Sequence, residues 1–344
     1  MADSAAKSRV TVCVANYNGA QVIAQCLQSI EQQQGAAHID VIVHDDASTD
    51  DSLAIIRDQF PQVTLLTSEH NIGFCLANNK MVAAAQGNYL LLLNNDAWLA
   101  PDAVATLLAA AGRRGDGIFT LPQLAASDSA LLDCGMFMDL FANAVPIAQR
   151  VEQPVAMVMG ACLWVSRDLW DDCGGFPDWF DSMAEDMYLC NYARLRGADV
   201  VALETSSYHH HVGHSFGGGK VVSSGLSTGL STTVKRRRLS ERNKLYVLFL
   251  FYPWPAWLLM LPLQVLALLV EGLALSLAKR DLSLFSRIYG HAVLALLTNW
   301  PKLWRERRLI QARRRVGMRA FFSVYRWLPY KLQMLLRHGV PELR

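Results

Sequence analysis

What most restricts the fold is an order that repeats along the first hundred residues: a short apolar, β-rich run, then a cluster of acids or amides, then a stretch with helical spacing. Residues 9–15 read as a buried strand, and residues 20–34 carry Val22, Ile23, Leu27 and Ile30 along one helix face. Residues 39–44, 63–67 and 89–93 read as further strands, separated by helices over 52–60 and 75–86. Strands alternating with helices pair in parallel through right-handed crossovers. The expected fold is therefore α/β, a Rossmann-like and mostly parallel sheet with flanking helices. Residues 155–166 add a buried strand before Gly174-Gly175-Phe176, and 185–195 a helix ended by Gly197, while 115–153 shows no clear period.

Three acidic clusters punctuate this pattern: His44-Asp45-Asp46-Ala47-Ser48-Thr49-Asp50, Asn94-Asn95-Asp96 and Glu185-Asp186. The first two directly follow strands, so their side chains belong at the carboxyl edge of the sheet, where open α/β folds bind ligands. Acids gathered there repel one another, and a divalent cation with a diphosphate is the usual use of such a cluster. A sugar-nucleotide is the ligand this suggests. Local structure offers a competing account. Ser48 to Asp51 precede a helix, so Asp50 is expected to cap it, and Asp45 either caps or contacts ligand. Asn-Asn-Asp also makes turns, and acids opening a helix complement its dipole.

Seven cysteines without a CxxC pair suggest neither a disulfide framework nor a zinc site, and fit reduced thiols in a cytosol. The first nine residues lack an apolar segment, so no secretory signal is expected. The formal charge of +2 hides an asymmetry. Residues 1–234 hold 11 Lys/Arg against 25 Asp/Glu, or −14, whereas residues 235–344 hold 21 against 5, or +16.

Val12-Cys13-Val14-Ala15-Asn16-Tyr17-Asn18, Asp45 to Asp50, Asn71-Ile72-Gly73-Phe74, Asn78-Asn79 and Leu91 to Asp96 together resemble glycosyltransferase family 2, with its GT-A fold. They are most similar to the rhamnosyltransferase-like branch that builds bacterial surface polysaccharides. Gly174-Gly175-Phe176, Glu185-Asp186, His210-His211-Val212-Gly213-His214-Ser215 and Arg242-Asn243 continue the likeness, which covers roughly residues 9–245. The resemblance implies a nucleotide-sugar site over Ala15, Asn16, Tyr17, Asn18, Asp45, Asp46, Asn78, Asn94 and Asn95, with Asp46 accepting from N3–H of a uracil or thymine base. It implies that Asp96 closes a DXD-like triplet holding Mg²⁺ or Mn²⁺, with His210, or else His211, completing the metal shell. Asp186 takes the place of the general base, supported by Glu185. Tyr188 and Tyr192 stand where the family often has another acid and an arginine. Gly217 to Gly219 form a loop able to close over the diphosphate, with Lys220 and the run from Lys235 to Arg238 as sources of positive charge.

The tail needs a separate account. Residues 247–270 carry no charge and are long enough to cross a bilayer, yet Pro253, Pro255 and Pro262 interrupt them. Basic segments flank both sides, which argues against a single crossing. In-plane amphipathic helices or a re-entrant hairpin are expected, with Trp254, Trp257, Trp300, Trp304 and Trp327 at headgroup depth and Lys/Arg on anionic lipid. The Trp/Leu content favours this membrane surface over nucleic acid as the partner of the arginines.

These readings converge on an inverting, metal-dependent transferase on the cytoplasmic face of the inner membrane, peripheral or monotopic. Its donor is a nucleotide-diphosphate sugar, dTDP-rhamnose before UDP-hexoses, and its acceptor a lipid-linked saccharide or oligosaccharide. The expected division is a catalytic domain over 1–240, with a nucleotide half (9–120) and an acceptor half (121–240), then a membrane-associating helical tail over 241–344. An inactive scaffold and a sugar-phosphate nucleotidyltransferase are the alternatives. Retention of Asp96 and Asp186 speaks against the first. The absence of a Gly-rich basic loop after the first strand speaks against the second.

Overall fold

The computed structural model describes residues 9–35, 38–211, 221–224, 227–338 and 342–343. It divides into two compact units: Met1–Met136, Pro146–Ala193 and Ala198–His211 form one, and Phe137–Val145, Arg194–Gly197 and Val212–Arg344 the other.

In the first unit the strands are β1 (Arg9–Asn16), β2 (His38–Asp45), β3 (Thr64–Thr67), β4 (Tyr89–Asn94), β5 (Ala97–Leu99), β6 (Gly117–Thr120), β7 (Gln123–Ala125) and β8 (Leu131–Asp133). After β9 (Met136–Asp139) and β10 (Ala144–Pro146), which lie mostly in the second unit, come β11 (Gln153–Pro154), β12 (Cys162–Ser166), β13 (Asp199–Ala202) and β14 (Tyr208–His210). Eight of them make one sheet in the order β11-β13-β6-β12-β4-β1-β2-β3. Its β4-β1-β2-β3 half is parallel and β12 runs antiparallel between β4 and β6. Helices α1 (Ile23–Glu31), α2 (Ser52–Gln59), α3 (Phe74–Ala84) and α4 (Ala103–Arg114) make the crossovers, so β1 and β4 are covered on both faces and read as unbroken apolar runs. α5 (Arg167–Cys173) and α6 (Glu185–Arg196) follow β12.

Register aligns the sequence clusters. Asn16 pairs with Asp45 across β1 and β2, and Ala15 with Asn94 across β1 and β4. Because β12 is antiparallel, its first residue, Cys162, pairs with Leu93, which sets Gly160 and Ala161 at that same edge. A second sheet, β5-β14-β7-β8, places His210 opposite Ala97 and so beside Asp96. Residues 155–161 are not strand. Val155 bonds β13 and Met157 bridges Met136, so only Cys162–Ser166 is free to pair in the central sheet.

The second unit includes α7 (Val234–Phe251), α8 (Ala256–Lys279), a π-helical turn at Phe285–Gly290, α9 (His291–Thr298), α10 (Trp300–Ala312), α11 (Met318–Phe321) and α12 (Tyr330–His338), with β9 and β10 paired beside Tyr325–Arg326. The charge-free run at 247–270 is not one element. Leu245 to Tyr252 are buried at the end of α7, where Pro253 stops the helix. The last carbonyls of α7 are taken over by side chains: Arg307 donates to those of Phe249, Leu250 and Tyr252, and Gln311 to those of Leu250 and Phe251. Pro262 lies inside α8 without ending it.

α8 is, among the described residues, the helix long and apolar enough to cross a membrane. One face packs inward through Trp257, Leu261, Leu268 and Leu275, while Leu259, Leu266, Val270 and Leu277 are all about 60% exposed. Around Glu241 and Lys244, which are buried in α7, lies a partly buried ionic group. Lys331 reaches Glu241 at 2.8 Å and Glu271 at 2.7 Å, Lys244 reaches Glu241 at 3.0 Å, and Arg237 pairs with Glu271. Burial and neighbouring Lys331 push Lys244 down to about 8 despite the attraction of Glu241. The opposed cations lower the Glu241 carboxyl against its own desolvation.

Candidate active site

The site is built outward from Asn16, a buried amide at the end of β1. Its Nδ2 donates to Asp45 at 2.8 Å, and also to the Ser48 and Ser52 hydroxyls; its Oδ1 accepts from Asn95 at 2.8 Å. These bonds tie the first two sequence clusters into one floor. The approach depends on Gly19, where a Cβ would stand 2.2 Å from Asn16 Oδ1 and 2.4 Å from Asn95 Nδ2. Asp45 also accepts from the Ser48 amide and hydroxyl, so its carboxylate organises the turn at Ala47, whose φ of 63° is a left-handed conformation rare for alanine. Asn18, likewise at positive φ, holds the Thr49 amide through its side chain. Asp50 accepts from the amides of Ala20 and Ser52 just before α2, whose N-cap is Asp51 rather than the Asp50 expected from sequence. Tyr17 stands out into solvent beside this floor.

Asp46 is buried, and its two oxygens accept from the amides of Ile72 and Gly73 at 2.7 and 2.9 Å. It braces the Asn71 to Phe74 loop, and each oxygen keeps a lone pair for a further donor. The loop passes the constraint on: the Cys75 amide donates to the Asp181 carbonyl, and a Cβ on Gly73 would stand 2.6 Å from Asp181 Oδ1. Asn78 spends its amide on the Phe74 carbonyl of its own helix. Asn79 exchanges two hydrogen bonds with the backbone of Phe176 and so fixes the Gly174-Gly175-Phe176 turn.

At the other side Asp181, Met183 and Ala184 all have positive φ, a strained lead into α6 that aims Glu185 and Asp186. Asp186 accepts from the Gly160 amide at 3.1 Å and from its neighbour Met187. Desolvation pushes its carboxyl up, to about 6, against those two hydrogen bonds. Glu185 is buried, with Oε1 near Gly160. Ala161, next in the chain, accepts from the Asn94 amide at 3.1 Å. Two consecutive residues therefore join the Glu185-Asp186 pair to the Asn94-Asn95-Asp96 cluster.

Asp96 Oδ1 is buried with no hydrogen-bond donor aligned on it, and lies 3.1 Å from His210 Nε2. Gln123 Nε2 lies 3.2 Å from the other ring nitrogen, and the Tyr208 hydroxyl donates to Gln123 Oε1, so the ring's orientation is held from behind. Burial raises Tyr208 well above its ordinary value, with the charges of Asp133, Cys162, Asp186 and Asp96 contributing. On a strand, side chains alternate. His210 faces Asp96, while the His209 ring stacks on Trp98 at 4.8 Å and the His211 ring lies 5.3 Å from it. The His211 amide donates to the Asp96 carbonyl.

An orphaned carboxylate oxygen beside an imidazole nitrogen fits a divalent cation that keeps water and phosphate ligands. Among the described residues there is no group of three or more His, Cys, Asp or Glu suited to a metal; Asp96 and His210 stand as a pair. Tyr192 bonds Asp172 and Tyr188 packs edge-on to Phe180, so both positions serve packing. The expected loop Gly217 to Gly219, with Lys220, lies outside the described residues.

A mostly parallel sheet with amides and acids gathered at the carboxyl edge, joined to a second small sheet carrying a histidine, is the GT-A arrangement. Residues 11–133 match the family model described as glycosyl transferase family 2. A chondroitin synthase of Escherichia coli is 33% identical over 102 residues, 29% of this chain and 15% of that protein. An N-acetylglucosaminyl-diphospho-decaprenol L-rhamnosyltransferase of Mycobacterium tuberculosis (strain CDC 1551 / Oshkosh) is 26% identical over 210 residues, 52% of this chain and 68% of that one. The chain spans about a third or less of the first curated relatives it matches. In fold it resembles S. aureus TarS 1-349, at a TM-score of 0.53 and 15% identity over 92% of this chain and 90% of that one. It also resembles GalNAc-T7 solved with UDP, GalNAc and Mn²⁺, at 0.58 and 13% over 73% and 49%.

Gly19, Gly160, Gln123 and Tyr208 were not singled out from sequence. Gly160 carries only the weak signal of a glycine just before a buried strand, and Gln123 carries none.

Proposed function

We propose that this protein is an inverting, metal-dependent glycosyltransferase. It moves a sugar from a nucleotide-diphosphate sugar, dTDP-rhamnose first and UDP-hexose second, to a hydroxyl of a lipid-linked saccharide in cell-surface polysaccharide assembly. The observation that carries this reading is the bridge through Gly160 and Ala161, which joins Asp186 to the Asn94–Asp96 edge. Catalysis of glycosyl transfer needs a base for the acceptor and stabilisation for the leaving diphosphate in one place. Ala15 to Asn18, Asp46, Asn78, Asn94 and Asn95 line the donor, with Asp46 free to accept from a base N–H while it holds the Ile72 and Gly73 amides.

Asp96 and His210 would hold Mg²⁺ or Mn²⁺, which supplies neutralising charge for the departing diphosphate. Asp186 removes the acceptor's proton as the hydroxyl attacks the anomeric carbon from the face opposite the leaving group, through an oxocarbenium-like transition state. The raised Asp186 pKa suits a base working near neutrality. Glu185, buried next to it, supports the charge of the pair. Residues 1–240 form the catalytic part in this reading and 241–344 a membrane-associating tail. The exposed leucines of α8, and relatives named as a succinoglycan biosynthesis protein and an N-acetylglucosaminyl-diphospho-decaprenol L-rhamnosyltransferase, support a peripheral or monotopic place at the cytoplasmic face of the inner membrane.

A thermal-shift panel of dTDP-, UDP- and GDP-sugars, each with Mg²⁺ or Mn²⁺, tests the donor. A ligand at 100 times its Kd stabilises by about 2.7 kcal/mol. Stabilisation by no nucleotide-sugar, with turnover of a nucleoside triphosphate and a sugar phosphate instead, would move the assignment to a nucleotidyltransferase.

A further inference from the structure

The second unit carries two adjoining clefts. One, of about 540 Å³, runs between α8 and α9, lined by Leu258, Leu266, Leu269, Val293, Leu296 and Leu297 among others. The other, of about 590 Å³, is lined by Trp254, Trp257, Trp300, Pro301, Trp304, Arg305 and Arg308. Trp257 and Trp300 border both, so an apolar trough opens directly into an aromatic and cationic mouth.

The mouth's cations are available. Arg307, between them in sequence, is buried and committed to three backbone carbonyls, whereas Arg305 and Arg308 are exposed. Arg308 lies over the Trp304 ring at 5.9 Å, and among the described residues Arg305 pairs with Glu306 at 3.7 Å. An occupant matched to this shape has an apolar chain at one end and an anion at the other. The trough is continued along α8 by the exposed Leu259, Leu263, Val270, Leu273 and Leu277, a surface that one isolated chain would leave wet.

We propose that this is a phospholipid site: one acyl chain of an anionic membrane lipid lies in the α8–α9 trough, and its phosphate is held by Arg305 and Arg308 at the tryptophan-lined mouth. The proposal deepens the membrane-associated reading above by naming the lipid class and the residues that select it. Tryptophan suits that depth because its ring is apolar and its N–H polar. Guanidinium suits phosphate because its fork matches two oxygens.

The test uses the full chain without donor or acceptor, so it is independent of the transferase assignment. Partitioning is measured on vesicles of phosphatidylcholine alone and with 30% phosphatidylglycerol, together with tryptophan quenching by acyl-brominated lipid. The expected result is quenching with both vesicles and a clear preference for phosphatidylglycerol. The double variant R305Q/R308Q loses on the order of 10- to 30-fold of that preference, since each basic residue at the surface contributes roughly a factor of five. The equal-charge control R314Q/R315Q loses distinctly less. L266Q, at an exposed trough position, weakens binding to both vesicles. The site is refuted if the two arginine pairs have equal effects, because the attraction is then diffuse charge. It is also refuted if sedimentation shows self-association through this face with no vesicle binding, or if a short-chain prenyl phosphate, and no phosphatidylglycerol, protects the tryptophans.

Discussion

At the scale of single residues, the catalytic reading rests on Asp186, whose carboxylate is shaped by the Gly160 and Met187 amides. Asp186→Asn keeps the shape and removes proton acceptance, so turnover should fall ~10²-fold or more with nucleotide-sugar affinity nearly unchanged. One of the two amides loses its acceptor, so a modest drop in melting temperature accompanies the loss. With the carboxyl raised to about 6, wild-type kcat/KM should fall as pH drops through that value, because the base is protonated below it. Near-normal turnover of Asp186→Asn at saturating substrates, measured by release of nucleoside diphosphate, would remove Asp186 from the base role. Gly19 makes a separate prediction. Its φ is ordinary, so the cost of Gly19→Ala is purely one of space: Asn16 and Asn95 must both give way. Donor affinity should weaken about tenfold or more, while far-UV circular dichroism stays unchanged. The dependence on Gly19 could not be read from sequence, since it arises where two strand ends meet 79 residues apart.

Elements explain which parts of the fold were legible. The β1 to β4 pattern was readable because β1 and β4 are covered on both faces and α1 on one, giving apolar runs and a helical period that residue order reveals. Residues 115–153 were not, because the strands there have three or four residues, too few to show a period. The charge-free run in the tail is ambiguous for another reason. Burial in protein and exposure to lipid select the same apolar residues, and this run serves both: its first part is interior to the second unit and its remainder lies in α8. What separates the two parts is the end of α7, where five hydrogen bonds from Arg307 and Gln311 replace those that Pro253 and Pro255 prevent. Arg307→Leu should therefore destabilise by about 3 kcal/mol or more, as buried carbonyls lose donors at ~1–3 kcal/mol each. Arg307→Lys should recover part of the loss. Urea denaturation followed by tryptophan fluorescence reads both, and a Leu variant within 1 kcal/mol of wild type would show that water replaces the guanidinium.

For the whole molecule, the decisive quantity is the contrast between −14 before Lys235 and +16 after it. In the membrane-associated reading proposed above, two forces would bind the tail to a bilayer, and they respond differently to salt. Attraction between Lys/Arg and anionic headgroups is screened over about 10 Å at 0.1 M salt and 3 Å at 1 M, whereas burial of leucine and tryptophan is not screened. If α8 lies in the interface, 1 M salt should release only part of the protein from anionic vesicles, and alkaline carbonate should release most of the rest. If α8 crossed the bilayer instead, neither treatment would extract it, and basic segments would lie on both sides of the membrane against their usual preference for one. A protease-cleavable tag after Arg344, expressed in intact spheroplasts, separates the cases. In-plane helices leave the tag on the side of the catalytic part and protected, so cleavage from outside, with a cytoplasmic marker intact, would replace the monotopic placement by a single crossing.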